Sequence, residues 1–488
     1  MFEQLISVLV EKCSFDPHRP VLAGVSGGPD SLCLLDVLRQ QGYPVIVAHL
    51  DHGLRPTAAL EAQRLRRMAE GWGLPFVLEE ADVAGYAARQ GLSIEEAARE
   101  ARYRFLFEQA ARCQAQAVAV GHTANDQVET VLMHLLRGSG LSGLRGMRYR
   151  SLPNPWSQEI PLTRPLLGVW REEIVTYLEQ RGLQASLDES NLDTRFYRNR
   201  LRHELTPQLE LLNPGAQRRL WQMADILAED EAVLAQAEQI AWQGCWLEQG
   251  QGFVALGVTN LRRQPVGLQR RLLRRAMAVL RPGLRDIDFS AVERGLRFLG
   301  CASRSNRCDL AGGLRLEMEG ERLWLATWEA DLPGGDWPQI EPGKQVELAA
   351  PGKIELAGGW RLTAETMPAE AGLLKRARVN ADPYQAWLDC DKLTFPLVVR
   401  GRKAGERFRP FGMAGHSLKL ADFMTNCRMP RRARAGWPLA VSGEQIVWLP
   451  GYRIGEDGAL QPDTQRVVHL TLEPIGARLS ILTSKMAT

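Results

Sequence analysis

Two rhythms of apolar and polar positions alternate through the first 140 residues. Short apolar runs at Val21-Leu22-Ala23, Val45-Ile46-Val47-Ala48, Phe76-Val77-Leu78 and Ala117-Val118-Ala119-Val120 are each bounded by turn residues. Runs of that length and composition predict strands covered on both faces. Between them, Leu32 to Leu38, Glu61 to Trp72 and a segment ending near Ala111 carry the wider helical spacing. Ser93 stands three residues before Glu96 and predicts a capping box at the start of the last of these helices. Strands alternating with helices predict a doubly wound parallel α/β domain, given the boundaries 1–213. Beyond Asn213-Pro214-Gly215 the pattern lengthens into helical segments, Ala216 to Trp246 and Leu261 to Leu280, so a helical domain is expected over 214–331. Residues 332–394 are rich in Gly, Pro and short alternating runs and are expected to be a linker with small β elements. A small basic α+β domain is expected at 395–475, followed by a frayed tail at 476–488.

Composition narrows the setting. The 488 residues are 45% hydrophobic and 24% charged, enough for several domains with real cores. No apolar run approaches the ~20 residues of a membrane span, and Glu3, Glu11, Lys12 and Asp16 interrupt the N-terminal segment. A cytoplasmic protein without a membrane partner is the expectation, and no obligate protein partner is evident. The 8 cysteines include no C-x-x-C pair, which argues against a zinc or iron–sulfur site of usual spacing. A net charge of +3 is too small to imply a polyanionic partner, so that argument rests on where the charge lies.

The first strand runs into Ser26-Gly27-Gly28-Pro29-Asp30-Ser31, a turn that opens a helix. Unpaired N–H groups and the positive end of the helix dipole converge there, and glycines let a phosphate approach the main chain. The common phosphate loop places a lysine on the β and γ phosphates. None stands here, so nothing commits the site to γ-phosphate chemistry. The turn resembles the S-G-G-x-D-S signature of the N-type ATP pyrophosphatases, whose members cleave ATP between its α and β phosphates.

Further segments fall at the carboxyl ends of the predicted strands, where open parallel sheets bind ligands. His49-Leu50-Asp51-His52-Gly53-Leu54-Arg55 ends the second strand. Arg99 and Arg102 share one face of the capped helix, and Asp126 and Glu129 share a face after the turn Gly121-His122-Thr123. The run 188–191 precedes Arg195, Arg198 and Arg202, which are read as RNA-phosphate contacts, the alternative being a solvated helix face. With Leu135-Leu136-Arg137-Gly138-Ser139-Gly140 and Arg164-Pro165-Leu166-Leu167, these words resemble, in order and spacing, the tRNA(Ile)-lysidine synthetase family.

That resemblance implies an adenine nucleotide alpha hydrolase-like first domain. It also implies ATP and free L-lysine as substrates, Mg²⁺ arriving with the triphosphate, and a tRNA(Ile) with a CAU anticodon as partner. It assigns ATP to Ser26, Gly27, Gly28, Pro29, Asp30 and Ser31, and the lysine ammonium to Asp126 and Glu129. Asp30, Arg102 and Asp126 are its catalytic candidates. Arg102 would neutralise charge on the phosphoryl oxygens, while Asp30 would hold Mg²⁺, orient the loop, or both. Asn125 departs from the pair of aspartates that many members carry at 125 and 126, leaving Asp126 as the stronger candidate.

Arginine and lysine also crowd residues 400–434, where Arg400, Arg402, Lys403, Arg407, Arg409, Lys419, Arg428, Arg431, Arg432 and Arg434 face only Glu406 and Asp422. Arg400, Arg402, Arg407, Lys419 and Arg431 are the RNA-binding candidates there. Phe408, Phe411, Phe423 and Trp437 among them are expected to be core rather than stacking platforms. Arg262, Arg263, Arg270, Arg271, Arg274 and Arg275 form a second basic group, either an RNA surface or a solvated helix face.

Overall fold

The computed structural model describes residues 2–53, 58–186, 194–282, 287–300, 307–334, 337–413, 415–427 and 429–475. Arg55, the run 188–191, Arg428 and the tail 476–488 lie outside them. The chain forms two compact units, Met1–Gln236 and Ala237–Thr488.

The first unit is built on a six-stranded sheet of β1 (Val21–Gly24), β2 (Val45–Asp51), β3 (Phe76–Glu80), β4 (Ala117–Val120), β5 (Arg150–Ser151) and β6 (Leu162–Thr163), in the order β3-β2-β1-β4-β6-β5. All pairs are parallel except β5 with β6. The two-residue period of each strand feeds two separate cores. Val21, Ala23, Val45, Val47, Ala117 and Ala119 pack on one face against α1 (Pro29–Gln40), α2 (Ala58–Gly71) and α5 (Arg171–Gln180). Leu22, Ala48, Val118 and Val120 pack on the other against α3 (Ile94–Arg112). A sheet buried on both faces explains why the strands read as continuous apolar runs. Ser93 caps α3 through the expected capping box with Glu96.

The chain runs outward from β1 to β2 and β3, then returns to β4 on the other side of β1. Loops leaving β1 and β4 therefore diverge, and open a crevice at the carboxyl edge of the sheet. The turn Ser26–Gly28 leaves β1 there, and α4 (Ala124–Leu136) leaves β4 beside it.

The second unit corrects two expectations. Residues 214–331 are not purely helical: strands Trp246–Gly250, Phe253–Gly257, Arg322–Thr327, Leu314–Glu319 and Arg307–Leu310 form a five-stranded antiparallel sheet in that order. Leu272, Leu273, Ala276 and Met277 of the helix Val266–Leu280 pack in its core. Residues 332–394, expected to be a linker with small β elements, do hold β-strands, but these belong to larger sheets. Gln345–Leu348 pairs with Leu397–Arg400, and Trp360–Pro368 and Gln385–Asp389 flank Arg466–Pro474, so these strands complete the C-terminal domain. The 213/214 boundary also moves, because Leu220 and Trp221 of the helix Ala216–Cys245 pack in the first unit against Leu132 and Trp170.

Candidate active site

Tight geometry shapes the turn after β1. Gly27 adopts φ +87°, a left-handed conformation that a side chain would strain. Ser31 Oγ donates to Gly28 O at 2.9 Å and accepts from Ser26 N at 3.2 Å, so the loop is closed by its own hydroxyl. From the neighbouring strand, Gly121 approaches so closely that a Cβ there would lie 2.8 Å from Asp30 O. Gly28 caps α1, with Pro29 in its first turn.

The two carboxylate oxygens of Asp30 are in different situations. Oδ2 accepts from Arg171 Nη2 at 2.9 Å, whereas Oδ1 is buried without a hydrogen-bond partner. Burial raises the Asp30 carboxyl above its ordinary value, with Asp126 adding to the rise and Arg171 and Arg202 opposing it. A lone buried carboxylate oxygen is the donor type that Mg²⁺ takes beside a triphosphate, so Asp30 fits that ion. Among the described residues no group of three or more His, Cys, Asp or Glu is placed to hold a metal ion.

Thr123 and Asp126 form a second capping box at the start of α4. Asp126 Oδ2 accepts from Thr123 N at 2.8 Å and from Thr123 Oγ1 at 3.0 Å, which leaves only Oδ1 facing outward. That oxygen accepts from Arg198 Nη2 at 3.0 Å and Arg202 Nη2 at 3.4 Å. Glu129, 3% exposed, accepts from Arg198 Nε and Arg202 Nε, each at 2.6 Å. Burial alone would raise the Asp126 carboxyl; Arg198, the Thr123 backbone and Arg202 outweigh it and hold the group below its ordinary value. The carboxylates expected to hold an ammonium and two of the arginines expected to hold RNA phosphate are thus bonded to each other. Arg198 and Arg202 are corrected accordingly: their guanidinium groups face carboxylates here. Arg195 is exposed.

A cavity of about 310 Å³ adjoins this network, lined by Asn125, Glu129, Arg171, Arg202, Thr206 and Gln217 among others. Its size lies at the small end for ligand pockets, roughly 300–1,000 Å³. Asn125 Oδ1 accepts from Arg171 N at 3.0 Å and its Nδ2 donates to Gln217 Oε1 at 3.4 Å, so the residue ties α5 to the wall. Arg102 is exposed, with Nη2 3.3 Å from His52 Nε2. Arg99 lies over the Tyr103 ring, 4.9 Å from its centroid. His49 Nδ1 donates to Val25 O at 2.7 Å, a structural bond. His122 is pushed down to about 3 by burial, with Arg164 adding to the shift, and stands neutral.

Sequence reasoning missed Arg171. Its signal was an arginine opening a helix, where the dipole disfavours a cation and a nearby carboxylate is needed to hold it.

In the second unit the basic residues divide by burial. Arg400 is 5% exposed and paired with Glu406, so it is removed from the RNA candidates. Arg432 is bidentate to Glu319, with Nε 2.7 Å from Oε1 and Nη2 2.6 Å from Oε2. Arg402, Arg407, Lys419 and Arg431 are exposed, although Arg407 Nη2 also donates to Ser417 O at 2.6 Å. Phe408, Phe423 and Trp437 are core, as expected, whereas Phe411 is only partly buried and lies outside that core. Of the second basic group, Arg270 pairs with Glu293, Arg271 pairs with Glu238, and Arg275 donates to Gln239, which favours the structural reading for those three.

Comparison with known proteins places these features. A PP-loop domain profile matches residues 1–209, and the profile of the TilS substrate C-terminal domain matches 397–471. The chain is 36% identical over 452 residues to the tRNA(Ile)-lysidine synthase of Geobacter sulfurreducens, covering 91% of each. It is likewise 36% identical over 493 residues to that of Symbiobacterium thermophilum, covering 97% of this chain and 98% of the relative. The Dehalococcoides mccartyi enzyme of the same name is 33% identical over 467 residues, covering 93% and 96%. With the Ser26–Ser31 turn at the strand end and the carboxylate pair beside it, these matches along nearly the whole chain show that it belongs to the tRNA(Ile)-lysidine synthase family.

Proposed function

We propose that this enzyme converts the wobble cytidine of a CAU-anticodon tRNA(Ile) to lysidine, consuming ATP and L-lysine. The observation that carries the reading is the juxtaposition of the Ser26–Ser31 turn, which lacks a γ-directed lysine, with the buried Asp126 and Glu129 pair at the next strand end.

In the first step the cytidine O2 attacks the α phosphorus, the α–β phosphoanhydride bond breaks, and pyrophosphate departs with that electron pair. Backbone N–H groups of the turn and the Ser26 hydroxyl hold the phosphates, while the Ser31 hydroxyl keeps the turn closed around them. Arg102 offsets charge growing on the phosphoryl oxygens. Bound Mg²⁺ would neutralise the triphosphate, with Asp30 as its protein ligand. In the second step the lysine ε-ammonium gives up a proton to water, and the free amine attacks C2. The C2–O2 bond then breaks and AMP leaves with that oxygen.

Asp126 and Glu129 already select cationic N–H donors, because both accept from guanidinium groups. An ammonium of lysine exchanges with Arg198 and Arg202 at the same oxygens. Held below its ordinary value, Asp126 serves as counter-ion rather than proton acceptor. Arg195, Arg402, Arg407, Lys419 and Arg431 supply contacts to the tRNA backbone. Labelled ATP tests the first step: AMP and pyrophosphate support it, and ADP with orthophosphate refutes it.

A further inference from the structure

Arg164 ends β6 in the same rim of the sheet as the active-site loops. Ala119 pairs with Thr163, so Arg164 follows β6 where Val120 and the Gly121 turn follow in β4. It is 6% exposed, and among the described residues no carboxylate pairs with it. Nη1 donates to Arg148 O at 2.9 Å and Ser151 Oγ at 3.2 Å, while Nε is buried with no partner. The ionisable groups that face it are Tyr103, Arg99 and His122, with no carboxylate among them. A buried guanidinium without a counter-charge is costly, and an arriving anion removes that cost.

The space for one is present. A cavity of about 230 Å³ is lined by Arg164 together with Arg145, Arg148 and Ser151, and by Gly146, Met147, Leu152 and Pro153. Arg148 is exposed and has no ion pair among the described residues. Guanidinium groups with a hydroxyl suit a phosphate oxygen in both charge and geometry. The site is separate from the Ser26–Ser31 turn, which follows β1 rather than β6.

We propose that this cavity is a phosphate subsite, built on Arg164 with Arg148 at its rim, for a phosphate group of the reacting complex. Resting on the proposed reaction, the subsite has two sources of that chemistry: a phosphodiester of the tRNA beside the reacting nucleotide, or the departing pyrophosphate. Arg148→Gln and Arg164→Gln in the full-length protein distinguish them. tRNA binding is measured across a salt series, and pyrophosphate inhibition of AMP formation is measured in parallel, with ATP affinity and melting temperature as controls. If the phosphate is the tRNA's, each variant lowers the slope of log K against log salt by roughly 0.7 to 0.9 while pyrophosphate inhibition stays unchanged. If it is pyrophosphate, inhibition weakens at least tenfold and the tRNA slope holds. Arg148→Gln, an exposed change, keeps the test valid should Arg164→Gln fail to fold. With wild-type protein making lysidine, a variant pair that moves neither quantity overturns the subsite alone. Wild-type protein that makes none overturns the reaction it rests on.

Discussion

Arg198 Nε donates to Glu129 Oε2 across 2.6 Å, and its Nη2 reaches Asp126 Oδ1 at 3.0 Å, so one guanidinium bridges both carboxylates of the proposed lysine site. Arg202 repeats the arrangement from the next turn of chain. A site so neutralised admits an ammonium only by exchange. Its affinity for lysine therefore depends on how readily the arginines move to other partners.

Glu129→Gln is expected to raise the lysine KM far more than the ATP KM. Removing one partner of a buried charge pair costs about 3 kcal/mol, equivalent to roughly 100-fold. Steady-state kinetics with each substrate varied in turn measures the split, and equal effects on both substrates would place Glu129 outside the lysine site.

Burial raises the Asp30 carboxyl. A group that binds its proton more tightly folded than unfolded favours folding at low pH and opposes it as pH rises through the raised value. Binding of Mg²⁺ and ATP needs the anion, so affinity should weaken on acidification at a pH above the ordinary carboxylate range. ATP titrations across pH should show this limb in the wild type, whereas Asp30→Asn should bind weakly and without it.

The C-terminal arginines should separate into two classes. Arg432 and Trp324 Nε1 both bond Glu319, and Arg432 Nη1 also donates to Leu332 O at 2.8 Å, so Glu319→Gln should destabilise the second unit by about 3 kcal/mol. Arg431→Gln should leave the melting temperature in place and reduce the salt slope of tRNA binding by roughly 0.7 to 0.9. Calorimetry paired with tRNA titrations distinguishes them; an Arg431→Gln protein with the wild-type slope would withdraw that residue from the RNA surface.

What the sequence disclosed followed from how local its causes are. The four long parallel strands, the Ser93 cap and the turn at Ser26 were legible because each is decided by neighbouring residues. Strand pairing between Gln345–Leu348 and Leu397–Arg400 is decided by distant ones, so residues 332–394 read as a linker with small β elements and not as part of the C-terminal domain. Charge suffered the same way. Arg400 and Arg432 count as basic in a window of sequence, yet Glu406 and Glu319 consume them, and Glu319 lies 113 residues from Arg432. Arg198 and Glu129, 69 residues apart, were each singled out, but for different ligands. Only the fold brought them together.

The most direct test of the whole account is mass spectrometry of the wobble nucleoside after full-length protein is incubated with a CAU-anticodon tRNA(Ile) transcript, ATP and L-lysine. The cytidine should gain the mass of one lysine less one water, in proportion to the AMP released and only when lysine is present. Unmodified cytidine in a reaction that consumes ATP, or the same mass gain without AMP, would contradict it.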